Sequence, residues 1–133
     1  MGLFSSKPRK TLVVHVEDEP DLRMLVQAAL EPMGMTVMSA ADGKTGLDLV
    51  IKENPDLVIL DVMMPVMDGF SVCAALREHP NHKDTPIFLC TSMSQVKHIE
   101  KASELGATGY IIKPIDIDKL RHKVIDVLGP PKT

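Results

Sequence analysis

Tryptophan is missing from this chain of 133 residues, tyrosine occurs once and phenylalanine three times. A core built on aromatic rings is therefore excluded. Aliphatic side chains must fill it, helped by nine methionines, whose flexible thioethers suit irregular gaps. Cysteine is nearly missing too. Two residues, Cys73 and Cys90, fit a reducing compartment and rule out a framework of several disulfides. No apolar run approaches the ~20 residues of a bilayer-spanning helix, so no membrane insertion is expected. No apolar signal-peptide stretch follows Met1 either, and a cytoplasmic location is expected. Positive charge is not in excess. Lys and Arg number 15 against 18 Asp and Glu, a net charge of −3, which gives no basic footprint for direct nucleic-acid binding. A glycine-rich phosphate loop is lacking, and with it the usual mark of a nucleotide site.

What is present is an alternation. "TLVVHV" (Thr11 to Val16) is short and β-branched, as a buried strand should be. Leu22, Leu25, Val26, Ala29 and Leu30 then recur at helical spacing, with Pro20 in the first turn and "PMG" (32–34) as the stop. "TVMSA" (36–40) reads as a second strand, and Leu47, Val50 and Ile51 mark a second helix ended by Asn54-Pro55. "LVILD" (57–61) is apolar without alternation, the pattern of a central parallel strand covered on both faces. A helix is predicted over about 69–78, a polar loop at "HPNHKDTP" and a fourth strand at "IFLCT" (87–91). Val96, Ile99, Ala102, Ser103 and Leu105 share one predicted helical face, "GYII" (109–112) is a fifth strand, and Leu120, Val124, Val127 and Leu128 mark the last helix. Strand alternating with helix demands parallel strands and right-handed crossovers. The predicted class is therefore a single α/β domain, an open doubly wound five-stranded sheet with helices on both faces. Residues 1–10 read as a flexible lead-in, 11–129 as the domain and 130–133 as a short tail. "MGLFSS" also fits the N-myristoylation pattern, but a slightly basic, disordered lead-in is the preferred reading.

The run "PDLVILDVMMPVMDGF" carries one acid, Asp61, at the end of its apolar strand. A charge placed there is costly unless something pairs with it. In a doubly wound sheet, ligands bind beyond the carboxyl ends of the strands, and the polar residues stand at those ends. They are Glu17 and Asp18, Asp61, Thr91 and Ser92, and Lys113. Three acids together call for a cation. Mg²⁺ accepts one or two carboxylates, keeps waters and favours phosphate oxygens. Lys113 adds a fixed positive charge. Asp61 is then a candidate nucleophile, because aspartyl phosphates are a known covalent class. Each residue alone has a plainer reading as turn former, helix cap or loop. Their joint occurrence at the ends of the right strands favours a site.

The pieces "VEDEP", "DVMMPVMDG", "TS" and "YIIKP" occur in that order, and through them residues 10–128 resemble the receiver domain of two-component response regulators, the CheY-like group. That resemblance implies a flavodoxin-like sheet of order 2-1-3-4-5 with five helices. It implies Asp61 as phosphoacceptor, with Mg²⁺ held by Asp18, Asp61, the backbone carbonyl of Met63, and Glu17 directly or through water. Lys113 would contact the phosphoryl group, and its bond to Pro114 would be cis. Thr91 would be the switch hydroxyl and Tyr110 the switch aromatic, although Tyr110 equally reads as an ordinary half-buried ring. Ser92, Met64, Pro65, Gly69 and Pro114 would shape the site.

The implied partners are a sensor histidine kinase or a histidine phosphotransfer protein as donor, and a downstream protein target. With only "GPPKT" after Leu128, a stand-alone receiver is expected. A regulatory module of a hybrid kinase or multidomain regulator is the alternative. A Mg²⁺-dependent aspartyl-phosphate phosphatase fits less well, because it places a second Asp where Met63 stands, and no turnover of an external substrate is expected. Several positions depart from the usual pattern. Glu17 replaces an Asp. His15 interrupts the first strand and is read as a satisfied core or edge histidine. His79 and His82 are read as a solvated pair. Met63 and Met93 flank the acceptor, and such apolar neighbours are expected to orient attacking water poorly and prolong the phosphoryl group.

Overall fold

The computed structural model describes residues 10–92 and 95–130. The lead-in at 1–9, Met93 and Ser94, and the end of the tail at 131–133 lie outside the described residues. The elements run β1 (Thr11–Val16), α1 (Pro20–Leu30), a 3₁₀ turn (Glu31–Met33), β2 (Met35–Ala40), α2 (Gly43–Glu53), β3 (Leu57–Asp61) and α3 (Gly69–Glu78). They continue with β4 (Ile87–Ser92), α4 (Val96–Glu104), β5 (Gly109–Lys113) and α5 (Ile117–Leu128). All strand pairs are parallel, in the order β2-β1-β3-β4-β5. The chain leaves β1 toward β2 on one side and returns to β3 on the other. The reversal point therefore lies between β1 and β3, where Glu17 and Asp61 emerge.

Side chains alternate across the pleat, which divides the core into two layers. Val14, Val16, Val58, Leu60 and Leu89 pack with Val50, Val72, Leu76 and Ala102, so α2, α3 and α4 cover one face. Val13, Leu57, Ile59, Phe88 and Ile111 pack with Val26, Leu30, Leu120 and Val124, so α1 and α5 cover the other. Fully burying one such side chain is worth about 1.5–3 kcal/mol. Asp42, Asp68 and Asp116 cap α2, α3 and α5, each accepting a hydrogen bond from a backbone N–H three residues on.

Several expectations are corrected here. The "PMG" stop begins as a 3₁₀ turn, closed by Gly34 at φ 86°. Leu47, Val50 and Ile51 do lie on α2, and of the three Ile51 is the exposed one, at 40%. On α4 the predicted apolar face is thinner than its sequence suggests. Val96 is 61% exposed, Ser103 is exposed, and Ala102 is the buried residue of the helix.

Two histidine readings also change. His15 is fully buried, yet neither ring nitrogen has a hydrogen-bond partner among the described residues. Burial, then the charges of Lys113 and Arg23, push it down to about 4 from 6.5. His82 is buried rather than solvated. Its Nδ1 lies 2.9 Å from Thr85 Oγ1, and its ring lies 5.3 Å from that of His79. The reason is Arg77. Its Nη1 donates to the carbonyls of His82 and Thr85, at 2.8 and 2.7 Å, and its Nε donates to Gly106 O at 2.9 Å. The polar loop folds around that guanidinium.

Candidate functional site

Lys113, the last residue of β5, reaches back across the sheet. Its Nζ lies 2.9 Å from Asp61 Oδ1 and 3.0 Å from Glu17 Oε1. Both carboxylates are buried, while Asp18 beside them is exposed. One oxygen from each of Glu17, Asp18 and Asp61 can be chosen so that all three lie within 4.8 Å of one another. The rim thus gathers three acids and one ammonium from β1, β3 and β5.

The electrostatics follow from that imbalance. Glu17 is pushed up to about 7, first by burial and further by the Asp18 hydrogen bond and the Asp61 charge. The Lys113 and Glu19 hydrogen bonds oppose the shift without cancelling it. Lys113 is held above its ordinary value. Burial works against its charge, and hydrogen bonds and attraction to Asp61 and Glu17 outweigh that. A single ammonium leaves the acid cluster undercompensated. The donor set is oxygen throughout, with one side open at Asp18, which suits a hard divalent ion that keeps part of its water shell.

Local geometry explains the approach. Arg23, on the first turns of α1, donates from Nη1 to Glu17 O at 2.7 Å and pins the acidic turn. Gly69 begins α3 hard against β3, where an added Cβ would run into the Asp61 carbonyl oxygen. Between them Pro65 O accepts from Met67 N at 2.8 Å, closing a tight turn around Val66 at φ 71°. Met63 and Pro65 are exposed on this loop, and Met64 packs inward. The Lys113–Pro114 bond is cis, and Pro114 is exposed.

The remaining residues singled out from sequence sit nearby but apart from the acid cluster. Thr91 is buried at the end of β4, and its Oγ1 lies 2.9 Å from His98 Nδ1 on α4. Ser92 pairs in register with Lys113. Tyr110 is 37% exposed on β5, with Lys123 Nζ 5.3 Å from its ring centre. Sequence reasoning missed Arg23 and His98. Arg23 carried a weak signal, as a cation on the helix that follows the acidic pair. His98 carried none, because a partner seven residues away across a loop leaves no periodic trace.

A doubly wound sheet with buried carboxylates at its reversal point, ion-paired to a lysine from β5, defines a CheY-like signalling domain. The chain belongs to the response regulator receiver domain family, whose model matches residues 13–125. It is 38% identical over 120 residues to a "Probable transcriptional regulator ycf27" of Porphyridium aerugineum, covering 90% of this chain and 49% of that one. It is 34% identical over 112 residues to the "DNA-binding dual master transcriptional regulator RpaA" of a Synechocystis strain, covering 84% and 46%. This chain therefore spans about half the length of those relatives. Among solved structures, the chemotaxis response regulator CheY4 of Vibrio cholerae superimposes with a TM-score of 0.84 at 33% identity, covering 90% of this chain and all of that one. Receiver domains hold Mg²⁺ in an acidic pocket, and Glu17, Asp18 and Asp61 supply such a cluster here. No helix among the described residues is long and apolar enough to cross a membrane.

Proposed function

We propose that this receiver accepts a phosphoryl group on Asp61 from a phosphohistidine of a sensor histidine kinase or histidine phosphotransfer protein. The carrying observation is the Lys113 ammonium within 3.0 Å of both Asp61 and Glu17. It supports the reading because two buried carboxylates and a fixed ammonium share one small volume. In the transfer, the donor's N–P bond breaks as an Asp61 Oδ–P bond forms, and the released imidazole takes a proton. Asp18, Asp61, Glu17 and the Met63 carbonyl would hold Mg²⁺. When bound, that ion neutralises charge on the transferring oxygens, which is most of what phosphoryl transfer requires. Lys113 turns from Asp61 Oδ1 to a phosphoryl oxygen. Thr91 turns its hydroxyl to another, and Tyr110 moves into the space it leaves. The surface around α4 and β5 changes with them and carries the signal to a downstream protein in the cytoplasm. The chain turns over no external substrate.

A second reading is favoured by the relatives. Because this chain matches about half of proteins named as transcriptional regulators, it fits the receiver part of a multidomain regulator. Any DNA contact would then belong to another domain, because the receiver's own residues carry no basic excess. A reading frame that continues past Thr133 into a DNA-binding domain supports this reading, and a stop codon there removes it.

The central test is incubation with Mg²⁺ and acetyl phosphate, followed by intact-mass measurement. The parent gains one phosphoryl group and Asp61→Asn gains none. Equal labelling of both overturns the assignment. The phosphoryl group is expected to be long-lived, because exposed Met63 offers nothing to orient water, and a half-life of seconds contradicts that.

A further inference from the structure

We propose that His98 is a positioning residue that holds the Thr91 hydroxyl toward α4, so that phosphorylation has to break the Thr91–His98 hydrogen bond and thereby frees the first turn of that helix. The inference rests on the phosphoacceptor reading of Asp61 and adds the element that opposes it. Three observations carry it. Thr91 Oγ1 is buried and lies 2.9 Å from His98 Nδ1, so the hydroxyl is engaged by α4 before any phosphoryl group arrives. The imidazole is itself fixed, edge-on to Phe70 with ring centres 5.2 Å apart and planes at 78°. Phe70 follows Gly69, the residue pressed against the Asp61 carbonyl, and Lys101 Nζ lies over the Phe70 ring, 4.8 Å from its centre. His98 therefore touches both the switch strand and the helix that starts at the acceptor.

The third observation is how few side chains among the described residues hold the start of α4. Ala102 is its buried residue, Val96 at its start is largely exposed, and Gln95 before it makes no side-chain cap. On a helix so lightly packed, one hydrogen bond is a large part of the restraint. A threonine hydroxyl has one proton and one favoured direction at a time. With His98 as the tautomer protonated on Nε2, Nδ1 accepts the hydroxyl's one proton. Turning that proton to a phosphoryl oxygen breaks the bond, and the two arrangements exclude each other. That is the condition for a two-state element rather than a graded one.

The test uses beryllium fluoride with Mg²⁺ as a phosphoryl mimic, read by NMR on the full chain, which has no Trp to report by fluorescence. His98→Leu removes the bond. His98→Asn keeps a polar atom near the Nδ1 position. Net hydrogen bonds shift equilibria by a factor of about five. The mimic concentration at half-saturation is expected to fall about fivefold in His98→Leu and to stay near the parent's in His98→Asn. In a Thr91→Val background, His98→Leu should change nothing further. The imidazole ¹⁵N signals of His98 in the parent should move on mimic binding. Unchanged or weaker mimic binding in His98→Leu overturns the inference, as does an equal effect with Thr91→Val present. A parent that binds no mimic overturns the phosphoacceptor reading and this inference with it. A parent that binds the mimic regardless of residue 98 overturns the inference alone.

Discussion

The sharpest consequence of the buried strand β1 concerns acid. His15 sits in the core with both ring nitrogens unpartnered among the described residues and resists protonation until about pH 4, against 6.5 when exposed. The unfolded chain takes up that proton near 6.5 and the folded chain does not. The His15 contribution to stability is therefore full above about 6.5, falls as pH drops below it, and levels off below about 4. At ~1.36 kcal/mol per pH unit, the gap between 6.5 and about 4 is worth about 3 kcal/mol. Glu17 runs the other way. Its folded value of about 7 lies above the ordinary 4.5, so its contribution is full at low pH and is lost as pH rises through 7. The two slopes overlap and oppose, and the parent's own pH profile would hide both.

The informative measurement is a difference. His15→Leu keeps an apolar side chain of similar bulk and removes only the titrating group. Urea unfolding of both proteins, followed by circular dichroism without Mg²⁺, gives their stability gap at pH 7.5 and 4.5. The gap should move by about 3 kcal/mol in favour of His15→Leu as the pH falls. A gap that stays constant to within about 0.5 kcal/mol would refute the reasoning, because it would mean that His15 titrates as a hydrated histidine.

Three further outcomes are expected. Val66, 88% exposed at φ 71°, holds a β-branched residue in the left-handed region, so Val66→Asn should raise stability by about 1 kcal/mol in urea, and a loss would contradict the strain. Gly69→Ala drives a methyl into the Asp61 carbonyl. It should cost about 2–3 kcal/mol and slow labelling by acetyl phosphate, and a neutral variant would show that the helix start yields freely. Lys113→Met leaves Asp61 and Glu17 buried without their ammonium. Its thermal midpoint in EDTA should fall by an amount equivalent to about 3 kcal/mol and recover in part with Mg²⁺, whereas equal loss in both buffers would argue against a cation site among these acids.

Much of the fold was legible because parallel strands buried on both faces read as unbroken apolar runs, so any polar residue that ends one stands out. Asp61 after "LVIL" and Lys113 after "YII" are visible for that reason, and the parallel order then brings them to one rim. What was not legible depends on contacts between distant segments. "HPNHKDTP" looks solvated letter by letter, yet Arg77 collects its carbonyls and buries His82. His15 reads as a polar residue in need of a partner, and the described residues supply none. The face of α4 was overread, because helical spacing of Val96 and Ser103 says nothing about whether a neighbour arrives to cover them.

The Arg77 bond to Gly106 O adds a mechanical asymmetry. That carbonyl lies just past the C-terminal end of α4, so one extremity of the helix is riveted to α3 and to the chain entering β4. At the opposite extremity Gln95 N donates to Ser92 O, and His98 meets Thr91 and the Phe70 ring. Opening of the Thr91–His98 bond would therefore loosen the Val96 end while the Arg77 guanidinium still ties the Gly106 end.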